Sequence, residues 1–255
     1  MAERSIESVR KGACIQFALY GLALHFFPAT MPVVLIKALP IWWLAAQCKR
    51  RMSNKACSLG ARLFARGICL GLMASSLGDI ALELDATPTA MRELSAAGMP
   101  KDVPFVVGLA SFLIAHGLYI QAFRRDNGSV VANEPYGAAA AGGFFGYGIG
   151  VVGVLWGSLP GPLKAPVCVY ATAIALMAMT AWSRRRAAGG SGRVALIGAL
   201  LFVVSDTVLA VNKFIYAKQM PYAKWIIMAT YYGAQQLIAE AALARVKGVE
   251  VKKRD

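Results

Sequence analysis

Two aspartates break otherwise lipid-soluble stretches of this chain: Asp79 in SSLGDIALE and Asp206 in ALLFVVSDTVLA. A third acid, Glu240, falls late in the last apolar stretch. Moving an ionised carboxylate from water into hydrocarbon is expensive, so an acid at such depth needs a partner or a proton. Two acids close together in a poorly solvated site cannot both ionise cheaply. One keeps its proton and serves as general acid, while the other is a base or steadies a cation. That pair is equipped to add water across an acid-labile C–O bond. The other reading is that each acid binds a serine, a lysine or a backbone group and only fixes helix packing.

Few other polar side chains interrupt the apolar segments: Lys37, His116, Tyr119, Tyr231, Tyr232, Gln235 and Gln236. Ser76 and Asp79 are i, i+3, as are His116 and Tyr119, and Tyr231 and Gln235 are i, i+4, so each pair shares a helix face. At 1.5 Å per residue Asp79 lies roughly 24 Å and Asp206 roughly 18 Å from their cytoplasmic ends, while Lys37 is about 10 Å and His116 about 18 Å from the opposite side. These depths overlap in the non-cytoplasmic half. Glu83 and Asp85, at the outer end of their segment, and His25, near the end of the first, are expected to reach water. Gly71-x7-Asp79-x2-Leu82 echoes Gly198-x7-Asp206-x2-Leu209, with a serine close before each acid. A parallel four-plus-four repeat would produce that echo, and so would coincidence at three matched positions.

Other chemistries are poorly supplied. Two histidines 91 positions apart, with no HExxH pair, do not make a zinc site, so no metal and no cofactor is expected. No G-x-S-x-G elbow is present. GAAAAGGFFGYGIGVVG lacks a following Lys-Ser/Thr, so its small residues are expected to allow close helix packing rather than to cradle phosphate.

The elements that must position these groups follow from composition. Of 255 residues, 58% are hydrophobic and 16% charged, outside the usual balance of a soluble domain. Eight stretches are long enough to cross a bilayer: 13–28, 30–47, 63–84, 104–123, 136–156, 166–182, 194–211 and 222–243. The expected fold is therefore all-α, a polytopic bundle of eight transmembrane helices. It would comprise an N-terminal segment 1–12, a membrane domain 13–245 and a basic tail 246–255. If the helices alternate, 20 of the 27 basic residues fall on one side, which places both termini in the cytosol. The net charge of +14 then reflects orientation and contact with anionic lipid, not nucleic-acid binding. No small-residue cleavage site precedes the first span, so a removed signal peptide is not expected. The five cysteines form no C-x-x-C pair and read as reduced. Trp42, Trp43, Trp156, Trp182, Tyr222 and Trp225 lie near span ends, as interfacial anchors do. Lys252 and Lys253 resemble the dilysine retrieval signal of the endoplasmic reticulum, if the source is eukaryotic, or form a headgroup-binding tail. Homo-oligomerisation is compatible with the sequence.

The segments IKALPIWWLA, SSLGDIALE, FVVGLASFLIAHGLYIQAF, LMAMTAW, GALLFVVSDTVLAVNKF and TYYGAQQLIAEAAL resemble, in order, the YhhN-like family of integral membrane proteins, whose animal members are lysoplasmalogenases. The resemblance implies hydrolysis of the vinyl-ether bond of a lysophospholipid substrate, lysoplasmalogen. The products would be a fatty aldehyde and glycerophosphocholine or glycerophosphoethanolamine. Asp79 and Asp206 would be the catalytic acids, with Lys37, Ser76, His116, Tyr119, Ser205, Lys213, Tyr231, Tyr232 and Gln235 supporting or binding substrate. The sequence departs from the family pattern in what read as loops, at 85–102 and around Arg184. A transporter or lipid-binding membrane protein, using the same acids for protons or a headgroup, is the alternative.

Overall fold

Ser58 starts the helix that carries Asp79: its Oγ accepts a hydrogen bond from the Ala61 N–H at 3.2 Å, satisfying one of the free donors of the first turn. The computed structural model describes residues 7, 10–12, 14, 15, 18–22, 31–53, 57–125 and 137–252. Its helices are α1 Met31–Met52, α2 Leu59–Ala86, α3 Pro88–Ala96, α4 Val103–Arg124, α5 Gly137–Leu155, α6 Gly161–Ala187, α7 Gly189–Phe214 and α8 Ala223–Lys252. The described residues of the expected first span, such as 18–22, are helical too. His25 and Lys253 lie outside the described residues. Among those described there is no strand.

Among the described residues five helices are long and apolar enough to cross a membrane: α2, α4, α5, α7 and Gly161–Arg186 of α6. The described part of the chain is therefore all-helical with several candidate membrane spans. In α8 the apolar run is diluted by Tyr231, Tyr232, Gln235, Gln236 and Glu240.

Three expectations need correction. The segment 85–102 is not all loop: α3 occupies Pro88–Ala96. Pro88 is pre-set for a first helical turn. Gly98, at φ +84°, closes the other end, where the N–H groups of Met99 and Gly98 bond the carbonyls of Leu94 and Ser95. Arg184 belongs to α6, not to a solvated loop; its buried guanidinium stacks on Phe64 and bonds Ser191. The glycine-rich helix α5 uses its small residues for packing only in part: an added Cβ at Gly148 would lie 3.6 Å from the Ala171 carbonyl oxygen of α6. A Cβ added at Gly142, Gly143, Gly146, Gly150 or Gly153 would meet nothing, because α5 lies at the edge of the bundle against α6 and α7.

The core is organised around α2 and α7. Helix α2 packs on α1 and α4, and α7 packs on α6 and α8. The echoed glycines sit at these crossings. A Cβ at Gly71 would overlap the Tyr119 ring of α4, and one at Gly198 would lie 2.9 Å from the Ala234 carbonyl oxygen of α8. Helix α2 thus touches α1 and α4 as α7 touches α6 and α8.

Candidate active site

Asp79 and Asp206 each face a different set of partners. Asp79 is buried on α2, where Tyr231 of α8 donates to its Oδ2 at 2.6 Å and Lys37 Nζ of α1 stands 3.9 Å from Oδ1. One turn on, Glu83 lies 3.4 Å from the same ammonium, accepts from Lys224 at 2.7 Å and accepts from Tyr20 at 3.3 Å. Glu83 is therefore buried and paired, correcting the expectation that it reaches water. An acid so placed is tolerable because two ammonium groups and a phenol replace its water.

Asp206, on α7, accepts a hydrogen bond from Tyr170 of α6 at 2.5 Å. His116 of α4 places Nε2 3.0 Å from the Tyr170 oxygen and 3.7 Å from Asp206 Oδ2. Since the Tyr170 proton points to the carboxylate, Nε2 carries hydrogen and donates to the phenol oxygen. The buried Nδ1 then has no partner among the described residues. Asp79 is thus met from α1 and α8, and Asp206 from α6 and α4.

Between the two clusters stand Phe112, Phe202 and Tyr231, packed edge to face with ring centres 5.5–6.1 Å apart. No hydrogen bond joins the two carboxylates.

Two cavities meet near this array. An apolar cleft runs between α4, α5, α6 and α7, where Asp206 is the single charged lining residue among those described, beside Phe112, Tyr147, Tyr170, Ile174 and Val203. A polar vestibule of about 480 Å³ lies at the C-terminal ends of α2 and α7, lined by Lys37, Glu83, Asp85, Lys213, Lys218 and Lys224. Both are walled by Leu82, Phe105 and Leu209. Leu82 and Leu209 are the third matched pair of the echo, each one turn beyond its acid. Asp79 lines neither cavity.

The other sequence candidates divide by contact. Tyr119 donates to Gln235 at 2.7 Å beside Ser75, and Tyr232 donates to the Lys37 carbonyl at 2.7 Å, so both brace the Asp79 cluster. Lys213 bonds Asp85 in the vestibule at 2.9 Å. Ser76 and Ser205 join neither acid; they donate to the carbonyls of Met73 and Ile227. Tyr170 was missed: VCVYATAIA reads as uniformly apolar unless the phenol is counted as a donor that needs a partner. Among the described residues no three His, Cys, Asp or Glu side chains converge as a metal-binding set.

The family model described as the YhhN family matches residues 32–242, which enclose every residue of both acid clusters except Tyr20. The chain belongs to the YhhN family. This YhhN-family chain is 30% identical to lysoplasmalogenase TMEM86A of Homo sapiens, over 94% of its own length and 89% of that protein. It is 29% identical to lysoplasmalogenase TMEM86A of Bos taurus over the same shares. With lysoplasmalogenase TMEM86B of Sus scrofa it shares 35% identity over 53% of this chain and 52% of the relative. No solved structure matches.

Proposed function

We propose that this YhhN-family chain is a membrane-embedded lysoplasmalogenase, an enzyme that hydrolyses the vinyl ether of a lysoplasmalogen. The observation that carries this reading is Asp206 as the single charged residue, among those described, of an apolar cleft that adjoins a lysine-lined vestibule. An amphiphile laid across the two cavities keeps its alkenyl chain in the cleft and its headgroup in the vestibule. Its ether bond then falls beside Leu82, Phe105 and Leu209, within reach of the carboxyl one turn below Leu209. Asp206, protonated on Oδ1 while Oδ2 accepts from Tyr170, gives its proton to the alkenyl carbon distal to oxygen, leaving an oxocarbenium ion that the resulting carboxylate stabilises. Water adds to the cation, and the hemiacetal collapses to aldehyde and the free glycerol hydroxyl. Tyr170 and His116 hold Asp206 in place, and the proton released by the attacking water returns to its carboxylate. Asp79 acts through Tyr231 and Lys37 as a positioning residue. In D2O the released aldehyde should carry one deuterium on the carbon next to the carbonyl, read by mass spectrometry. Aldehyde without that label would exclude protonation at carbon.

The proposed architecture is the eight-span bundle with both termini cytosolic, comprising segments 1–12, 13–245 and 246–255. It is supported by Arg10, which forms two hydrogen bonds of 2.7–2.8 Å with Glu240 and so lies against α8. Tags at the two ends should be protected alike from a protease added outside. Opposite exposure would require an odd number of spans. In a eukaryotic cell the dilysine tail suits retention in the endoplasmic reticulum.

Because the proton donor is a carboxyl, activity should survive EDTA. A loss restored by one divalent ion would make the acids ligands instead. The two-fold pattern of contacts also suits a transporter, whose repeats commonly flank a midplane site. Aldehyde release by protein in detergent, where no gradient exists, separates the two readings.

A further inference from the structure

Charges in the vestibule do not balance evenly. On one side, Lys37 and Lys224 face Glu83 and Asp79, two cations against two acids. On the other, Lys213 and Lys218 both place their ammonium groups on a single oxygen of Asp85, at 2.9 and 2.8 Å. That triad itself keeps one positive charge in excess, with two like charges held side by side and Asp102 the next acid near Lys213. Lys213 is further fixed over the Phe105 ring, 3.9 Å from its centre, and Phe105 belongs to the wall shared with the apolar cleft.

The backbone that delivers Lys218 is unusual. In the turn between α7 and α8, Ala217 and Lys218 adopt φ of +47° and +68°, a conformation that side-chain-bearing residues seldom take. Such conformations persist where surrounding contacts enforce them and recur at ligand clamps. Here the Lys218 N–H bonds the Asn212 carbonyl oxygen at 2.7 Å and closes the end of α7, while the ammonium bonds the Asp85 carbonyl oxygen at 2.9 Å and its carboxylate. Lys218 is thereby held over the vestibule with 44% of its side chain still open to solvent.

We propose that Lys213 and Lys218, aligned by Asp85, are the subsite for the phosphodiester of the lysolipid headgroup. This rests on the lysoplasmalogenase reading and names what fixes the substrate in register. A singly charged phosphodiester neutralises the excess charge and accepts charge-assisted hydrogen bonds from both ammonium groups. With the phosphate held there, the glycerol lies at Leu82 and Leu209 and the vinyl ether points into the cleft toward Asp206. Neutral lipids with the same chain lack this anchor. The subsite thus selects phospholipid over alkenylglycerol.

The test compares two substrates with identical alkenyl chains, lysoplasmenylcholine and 1-alkenylglycerol, in the wild type and in Lys213→Gln and Lys218→Gln. The ratio of their kcat/KM values should fall about tenfold in each variant, through KM of the phosphate-bearing substrate, as expected for loss of one charge-assisted bond. An unchanged ratio in both variants would overturn the subsite. A parallel binding measurement uses 1-O-alkyl lysophosphatidylcholine, whose saturated ether resists hydrolysis, against 1-O-alkylglycerol. If no aldehyde forms from either substrate but the alkyl lysolipid loses affinity in both variants, the catalytic reading fails and the subsite stands. Inorganic phosphate competing as well as the alkyl lysolipid would show a free-anion site and overturn the headgroup assignment. Lys218, being half exposed, can be replaced without opening the core.

Discussion

Asp206→Asn is expected to lower aldehyde release from lysoplasmalogen by about a thousandfold, within the range that a general acid contributes. The amide preserves the shape of the side chain and its contact with Tyr170, but it has no proton of suitable acidity to place on carbon. Asp79→Asn should cost less, about tenfold, because Asp79 lines neither cavity and influences the reaction through Tyr231 and Lys37. The double variant should resemble Asp206→Asn alone, since a positioning group has nothing left to position. Single-turnover aldehyde release, with alkyl lysolipid binding as a check on folding, reads all three proteins. Near-normal turnover in a folded Asp206→Asn protein would remove this carboxyl from the reaction.

Removing the cation at Lys37 should produce the largest loss of stability. Lys37 is buried and stands between Asp79 and Glu83. Lys37→Met leaves Glu83 with Lys224 and leaves Asp79 with only a phenol, and breaking a buried pair from one side costs about 3–5 kcal/mol. In a chain of this size that corresponds to a fall of about 10 °C in Tm. Lys37→Met combined with Asp79→Asn should recover more than half of the loss, because the stranded charge is gone. Thermal unfolding in detergent decides it. Equal melting temperatures for wild type and Lys37→Met would mean that the ammonium does not balance the acid.

Polarity inside apolar segments made both acids legible, together with Lys37, His116, Tyr119, Tyr231 and Gln235, because each demands an explanation in hydrocarbon. What could not be read was who meets whom. Helical spacing tells which residues share a face but not which helix lies opposite. His116 and Tyr119 share a face of α4, yet one serves Asp206 and the other Gln235. Proximity in sequence misled for Ser76 and Ser205, whose hydroxyls return to backbone carbonyls instead of joining the acids beside them. Tyr170 was hidden by the opposite error, an amphipathic ring counted as apolar. Pro88 and Gly98 already announced the short helix α3, and the glycines of α5 could not show that their helix would stand at the bundle edge.

The crossed contacts of the two acids also set an order of assembly. Chains enter the membrane from the N-terminus, so Asp206 arrives on α7 after His116 and Tyr170 have been delivered on α4 and α6. Its site can close as soon as α7 docks. Asp79 enters early on α2 with Lys37 for company and must wait for Tyr231, which the ribosome supplies only with the last helix. During that interval the exposed acid is a mark of an unfinished protein. A chain truncated before α8 would display Asp79 and Glu83 without their Tyr231 and Lys224 partners.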